Sequence, residues 1–245
     1  MTKILGIIPA RYDSSRFPGK PLVDIDGKSM IQRVYEQCQK AQTLNAILVA
    51  TDDKRIYDVV SQFGGEVVMT ASDHQSGTDR CFEALAKQDD KYDYVINVQG
   101  DEPFINPEQI NSLAQRLDGK VELATLGKSI GSSDELFNPN VVKVVFDKNG
   151  KALLFSRSTV PHIRNLDRNQ WLNKGRFFKH IGIYAYRTDI LASITKLEPS
   201  SLEIAESLEQ LRWLENGYSI HVEQTEYEST GIDTPEDLIK LKGKG

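Results

Sequence analysis

Three cations, Arg11, Arg16 and Lys20, fall within ten residues in the stretch PARYDSSRFPGKPL at 9–22, mixed with Ser14, Ser15, Pro18 and Gly19. Arg grips phosphate oxygens bidentately and Lys is a compact point charge, so the set suits a small anion with several oxygens. The plain alternative is a solvated loop whose cations pair with neighbouring acids. Two common phosphate loops are excluded. A Walker A pattern fails because Lys20 is followed by Pro21 and Ser14 stands where the first glycine belongs, and no G-x-G-x-x-G occurs. Two carboxylates stand out further along. Asp101 of NVQGDEP is either a turn residue or a ligand for a divalent cation, with Glu102 beside it. Asp233 precedes DTPED's good helix start, with Thr234 as cap and Pro235 in the first turn, so capping does not account for it. HQSGTDR at 74–80 offers Ser76 and Arg80 as polar contacts and Gly77 for close backbone approach, or else a capped helix start.

These groups need elements to hold them. KILGIIPA is a continuous apolar run, the mark of a strand buried on both faces, and the cationic loop follows its carboxyl end. SMIQRVYEQCQKA has helical spacing with Ser29 as cap, and AILVAT is a second strand. DKRIYDVVSQFGG is a helix stopped at Gly64-Gly65. EVVMT is a strand, a helix runs from about Thr78 to Lys87, and DYVINVQ is a strand ending just before Asp101. This alternation predicts a parallel sheet with helices on its faces. Beyond about residue 130 come a β-hairpin around Asn149-Gly150, the strand FFKHIGIYAYR and a helix near 188–195. An amphipathic helix IAESLEQLRWLENG, the strand YSIHVEQ and a closing helix follow. The expectation is α/β: one Rossmann-like domain over 1–245, with a mostly parallel mixed sheet and a β-rich insertion at roughly 131–187.

Composition narrows the partners. The 245 residues carry a formal net charge of -5, so the cations form a local island on an acidic protein and nucleic-acid binding is not expected. No apolar run reaches the length of about 18 residues that a membrane span requires, and no signal peptide is recognisable, which predicts a cytoplasmic protein. Cys38 and Cys81 lie in predicted helices, far apart, and read as buried free thiols.

PARYDSSRFPGKPL resembles the N-terminal signature P-A-R-x-x-S-x-R-x-P-G-K-x-L of sugar nucleotidyltransferases, shared by the cytidylyltransferases for 3-deoxy-manno-octulosonate (Kdo) and for sialic acids. HQSGTDR, NVQGDEP, FNPNVVKVV, HIGIYAYR, SLEQLRWLENG and GIDTPEDL follow in order over nearly the whole chain, and together they resemble the Kdo cytidylyltransferases. The resemblance implies a GT-A-like nucleotidyltransferase fold, a homodimer, and an enzyme making CMP-Kdo and pyrophosphate from CTP and Kdo with Mg²⁺, in lipopolysaccharide assembly. Pro9, Ala10, Arg11, Arg16, Lys20, Ser76, Gly77, Arg80 and Gln99 would then bind the nucleotide. Arg11 and Lys20 would neutralise the leaving pyrophosphate, and Asp101 and Asp233 would hold the metal. Gln99, Arg157, His180, Tyr184, Glu209 and Gln210 would bind Kdo.

Three of these have a plainer reading. Glu209 could pair with Arg212, Tyr184 could be core, and His180 could be structural. His180 and Tyr184 share one strand face by period two. After STVP the chain departs from the family's compact Arg/Asp-rich stretch, so His162 and Arg164 inherit no role. The alternatives are a cytidylyltransferase for 8-amino-Kdo or a sialic acid, or a non-catalytic nucleotide-binding regulator on the same scaffold.

Overall fold

The computed structural model describes residues 2–13, 17–228 and 230–242. The class is the expected α/β. The chain divides into two compact units, residues 1–115 with 228–245, and residues 116–227.

In the first unit, β1 (Ile4–Ala10) leads through a small hairpin, β2 (Asp24–Ile25) and β3 (Lys28–Ser29), into α1 (Met30–Gln39). Asp26 and Gly27 turn that hairpin with φ of 51° and 81°. Asp-Gly is a strong signal for such a turn, and the sequence reading passed over it. Then come β4 (Ala46–Thr51), α2 (Lys54–Gln62), β5 (Val67–Met69), α3 (Gly77–Ala86), β6 (Tyr94–Asn97) and α4 (Pro107–Gln115). The C-terminal helix, Pro235–Lys242, belongs to the same unit. Strand order is β6–β1–β4–β5, all parallel. Consecutive crossovers run from β1 to β4 and β5, and the next strand, β6, pairs on the other side of β1. That reversal makes the carboxyl ends of β1 and β6 the place where such sheets bind ligands.

The helix starts follow the sequence. The Ser29 hydroxyl accepts from the Gln32 amide at 3.3 Å. Ser76 and Asp79 form a reciprocal capping box on α3, and Thr234 and Asp237 bond reciprocally at the start of the C-terminal helix. Cys38 and Cys81 are buried free thiols, and burial pushes the Cys38 thiol up to about 12.

The second unit contains β7 (Leu123–Ser129), α5 (Ser133–Phe137), β8 (Lys143–Phe146), β9 (Ala152–Ser156), α6 (Trp171–Lys174) and β10 (Phe178–Arg187). It continues with α7 (Thr188–Ile194), α8 (Ser201–Glu206), α9 (Gln210–Glu215) and β11 (Ile220–Gln224). β7 pairs parallel with β11 and antiparallel with β10, and the β8–β9 hairpin continues from β10. The departure loop at 162–176 is mostly exposed but anchored by one buried side chain: Trp171 packs with Ile130, Leu136 and Phe177, and the half-buried Ile163 and Leu166 lie against them.

One expected element is corrected. The single helix predicted through residues 204–217 is two, α8 and α9, broken at Ser207, whose φ and ψ of 52° and 51° are left-handed. Amphipathic spacing continues across the break, which hid it. What holds it is Arg157: Nε donates to the Glu206 carbonyl at 2.6 Å and Nη2 to that of Ser207 at 3.4 Å. Glu206 in turn accepts from the Arg157 amide and the Ser156 hydroxyl.

Candidate active site

The cationic stretch is tied down at its ends. The Gly19 amide donates to the Tyr12 carbonyl at 2.9 Å, and Gly19 has φ of 72°. A Cβ on Gly19 would press on the Tyr12 ring at 3.1 Å, so both backbone and packing call for glycine. Arg55 of α2 stacks its guanidinium over that ring, 3.3 Å from the centroid, while its donors fork onto Asp53. Phe17 packs on the cluster of Ile25, Met30 and Ile232. Ser14, Ser15 and Arg16 lie outside the described residues.

These anchors leave a cleft of about 460 Å³ within the first unit, at the carboxyl ends of β1 and β6. Of the sequence candidates it is lined by Pro9, Ala10, Arg11, Lys20, Gly77, Arg80, Gln99, Asp101 and Asp233. Asp13 and Gly100 line it too, and the sequence reading had singled out neither. Gly100 has a clear physical reason: a Cβ there would stand 2.8 Å from the Pro9 carbonyl oxygen, which is backbone and cannot yield.

Two carboxylates that are 132 positions apart in the sequence meet here. The Lys20 ammonium donates to Asp101 Oδ2 at 2.7 Å and to Asp233 Oδ1 at 3.3 Å. The Ile232 amide donates to the Asp101 carbonyl at 2.9 Å, which brings the 231–234 segment to that turn. The turn reading of Asp101 holds, and that turn delivers its carboxylate into the cleft beside Asp233. The sequence reading separated the phosphate cations from the metal carboxylates; the structure joins Lys20 to both acids. The arrangement also tests whether Mg²⁺ fits. A single cation already reaches both carboxylates, and no cluster of three or more His, Cys, Asp or Glu that could hold a metal is found among the described residues. Two carboxylates, with water and phosphate oxygens for the remaining positions, are the donor set Mg²⁺ takes on a nucleotide. The residues fit.

Two base-loop candidates are partly committed elsewhere. The Ser76 hydroxyl serves the α3 cap. Arg80 is buried, with Nη1 on the Thr70 hydroxyl at 2.5 Å and Nη2 on Asp52 at 3.2 Å, so it ties α3 to the ends of β4 and β5 while walling the cleft. Glu83 steadies the approach to this loop, accepting from the Ala71 amide, His74 and Lys87. Burial would raise its carboxyl, but those hydrogen bonds prevail and hold it at about 2. At Gly77 a Cβ would make only ordinary contact, 3.4 Å from Pro9, so packing does not demand glycine there.

The remaining sugar candidates lie in the second unit. His180 and Tyr184 do share a face, but four residues of regular strand would separate them by about 13 Å. A bulge between Ile181 and Tyr184 brings their ring centroids to 5.2 Å. Tyr184 is buried against Tyr186 and Trp213, so its core reading holds too. Burial raises its phenol well above the ordinary value, with Tyr186 and Glu209 adding to the shift. Burial also drives the His180 imidazole down to about 3, so it is neutral at physiological pH. Gln210 is buried at the start of α9, and Arg212 forks onto Glu203. Arg157 donates to backbone carbonyls of Pro139, Glu206 and Ser207.

A basic and acidic cleft at the switch point of a parallel sheet defines a nucleotide-binding α/β protein, and the cytidylyltransferase family model matches residues 5–223. The chain is 59% identical to 3-deoxy-manno-octulosonate cytidylyltransferase of Cytophaga hutchinsonii, over 97% of this chain and 96% of that protein. It is 56% identical to the protein of that name from Parabacteroides distasonis, over 98% and 97%. A solved structure of CMP:2-keto-3-deoxy-manno-octonic acid synthetase complexed with CTP superposes with a TM-score of 0.92 at 45% identity, covering 99% of this chain and 98% of that one. A 4-diphosphocytidyl-2C-methyl-D-erythritol synthase from Anaerococcus prevotii, 14% identical with a TM-score of 0.63 over 99% and 98% of the chains, shares the fold. The chain belongs to the family of 3-deoxy-manno-octulosonate cytidylyltransferases.

Proposed function

We propose that this protein transfers CMP from CTP to the anomeric hydroxyl of Kdo, releasing pyrophosphate. The observation that carries the reading is the meeting of Lys20, Asp101 and Asp233 in a cleft at the strand ends, with Arg11 on its wall. In the reaction, the hydroxyl gives up its proton to water, its oxygen bonds to the α-phosphorus, the bond from that phosphorus to the bridging oxygen breaks, and the electron pair leaves with pyrophosphate. Arg11 and Lys20 supply positive charge where the leaving group becomes more negative. Asp101 and Asp233 would hold Mg²⁺, which when bound lowers the hydroxyl's pKa and screens the phosphate charge. Arg16 belongs to the proposed phosphate set, Gln99 and the start of α3 at 76–80 to nucleotide recognition, and Arg157, His180, Tyr184, Glu209 and Gln210 to the sugar acid.

The product is proposed as the activated sugar of lipopolysaccharide assembly, made in the cytoplasm. No helix among the described residues is long and apolar enough to cross a membrane. A homodimer is proposed as the working form, and sedimentation velocity decides it. The central test is pyrophosphate release with CTP and Mg²⁺ across Kdo, 8-amino-Kdo and sialic acid. Kdo is expected to give the highest kcat/KM. Preference for either of the others would replace the acceptor, and silence with all three would point to a non-catalytic role.

A further inference from the structure

Thr125 is fully buried in the middle of β7 and makes three polar contacts with one hydroxyl. Its Oγ1 lies 2.7 Å from the Ile183 carbonyl, 3.1 Å from the Ile181 carbonyl and 2.9 Å from His180 Nε2. The two carbonyls flank the β10 bulge, where the register passes from Ile181 opposite Leu126 to Tyr184 opposite Thr125. A hydroxyl has one proton and two lone pairs. Carbonyl oxygens only accept, so the proton must point at them, and the shorter contact marks Ile183 as its main target. If Nε2 were the unprotonated nitrogen, it too would need that proton. An oxygen–oxygen approach of 2.7 Å would then be left with no hydrogen between. The contacts are satisfied together only when Nε2 carries a hydrogen and donates it to Oγ1.

The same ring is held by Phe155, edge-on at 5.1 Å between centroids, and by Tyr184, and its backbone amide donates to the Val142 carbonyl. No hydrogen bond to Nδ1 is found among the described residues, although part of the residue is exposed.

We infer that Thr125 is a positioning residue that fixes His180 as the Nε2–H tautomer, leaving Nδ1 as an acceptor for a hydroxyl of the sugar acid. This deepens the proposed reading of Kdo as acceptor substrate and rests on it. It also gives His180 a specific part of that substrate. A neutral acceptor nitrogen recognises a hydroxyl proton and offers nothing to a carboxylate, which must find its cation elsewhere. The bulge and the tautomer therefore act as one device: Gly182 and Ile183 loop out, the Ile181 and Ile183 carbonyls converge on Thr125, and Thr125 orients the ring.

The test has two independent arms. In the wild-type protein without substrate, ¹⁵N shifts of the His180 ring at neutral pH should show a pyrrole-like Nε2 and a pyridine-like Nδ1. The opposite pattern, or an imidazolium, would overturn the inference. In kinetics, Thr125→Val removes the hydroxyl at nearly constant shape. It should raise KM for Kdo about ten-fold, the order of one hydrogen bond, with kcat within about three-fold. CTP affinity by calorimetry should stay within about two-fold, and Thr125→Ser should return KM to within about three-fold of wild type. An unchanged Kdo KM in a folded Thr125→Val protein would sink the proposal, and if that variant does not fold, the wild-type ¹⁵N pattern still decides. Absence of Kdo turnover in the wild type would strike the functional reading instead, because the tautomer is measured with no substrate present.

Discussion

Lys20 holds Asp101 and Asp233 in the same cleft that is proposed to receive a nucleotide triphosphate and a metal ion. The described charged groups lining it are Arg11, Lys20 and Arg80 against Asp13, Asp101 and Asp233, three of each sign. Without a divalent cation, therefore, the described wall offers CTP no net positive charge, and one of its cations is engaged by the acids. Removing an acid should then act oppositely with and without metal. In EDTA, Asp101→Asn is expected to bind CTP more tightly than wild type, because a negative charge is lost and Lys20 is partly released. In Mg²⁺ the same variant should bind CTP more weakly and turn over about a hundred-fold or more slowly. Calorimetry under both conditions checks this, and weaker CTP binding in EDTA would show that Asp101 acts on the nucleotide without a metal. The types of these residues were legible from their neighbours in sequence. Their convergence was not, because it depends on one backbone bond between Ile232 and Asp101 and on a lysine reaching between segments far apart in the chain.

At the scale of elements, interruptions of regular structure place the sugar candidates. The β10 bulge sets His180 beside Tyr184, and the Ser207 break starts a new helix at Gln210. Periodicity reads through both, since an inserted pair keeps a strand's alternation and an amphipathic stripe can resume after one left-handed residue. The break makes a prediction that separates folding from binding. Arg157→Lys keeps a charge but cannot present the guanidinium's fork to the Glu206 and Ser207 carbonyls. It should cost about 1–2 kcal/mol, which is roughly 2–4 °C in Tm for each kcal/mol in a chain of this size. Ser207→Gly relieves a left-handed φ and should be neutral or stabilise by up to about 1 kcal/mol. Thermal unfolding of both variants without substrate reads these effects. An unchanged Tm in Arg157→Lys would free that side chain from the structural role and leave the sugar acid as its main partner.

For the molecule as a whole, α4 went unread, while the strand–helix alternation from β1 to β6 was legible because each strand is a largely apolar run closed by a cap or glycine. β7 was not, because LATLGKS mixes small, polar and charged residues and gains its burial from pairing with β10 and β11. The two units also carry different acid-sensitive groups, which should give global stability a two-stage dependence on pH. His180 in the second unit ionises at about 3 when folded, against its ordinary 6.5. Between those values the unfolded chain binds a proton that the folded chain does not, so stability falls as pH drops from about 6.5 toward about 3. His221, lowered by burial and then by Arg116, contributes with the same sign. Glu83 in the first unit runs from an ordinary 4.5 down to about 2 when folded, so its contribution is complete above 4.5 and is lost only as pH falls toward 2. Urea unfolding across this range should therefore show a stability slope that begins near neutrality and steepens below about 4.5. His180→Gln should flatten the upper part and leave the lower steepening in place, with His221 keeping a residual slope. Glu83→Gln should lower stability at neutral pH and flatten only the acidic part, since the hydrogen bonds that depress its carboxyl act on the ionised form. If His180→Gln left the slope between about 6.5 and 4.5 untouched, the imidazole would not be held neutral by the fold. The Nδ1 acceptor assigned to it would then be lost to protonation at mildly acidic pH.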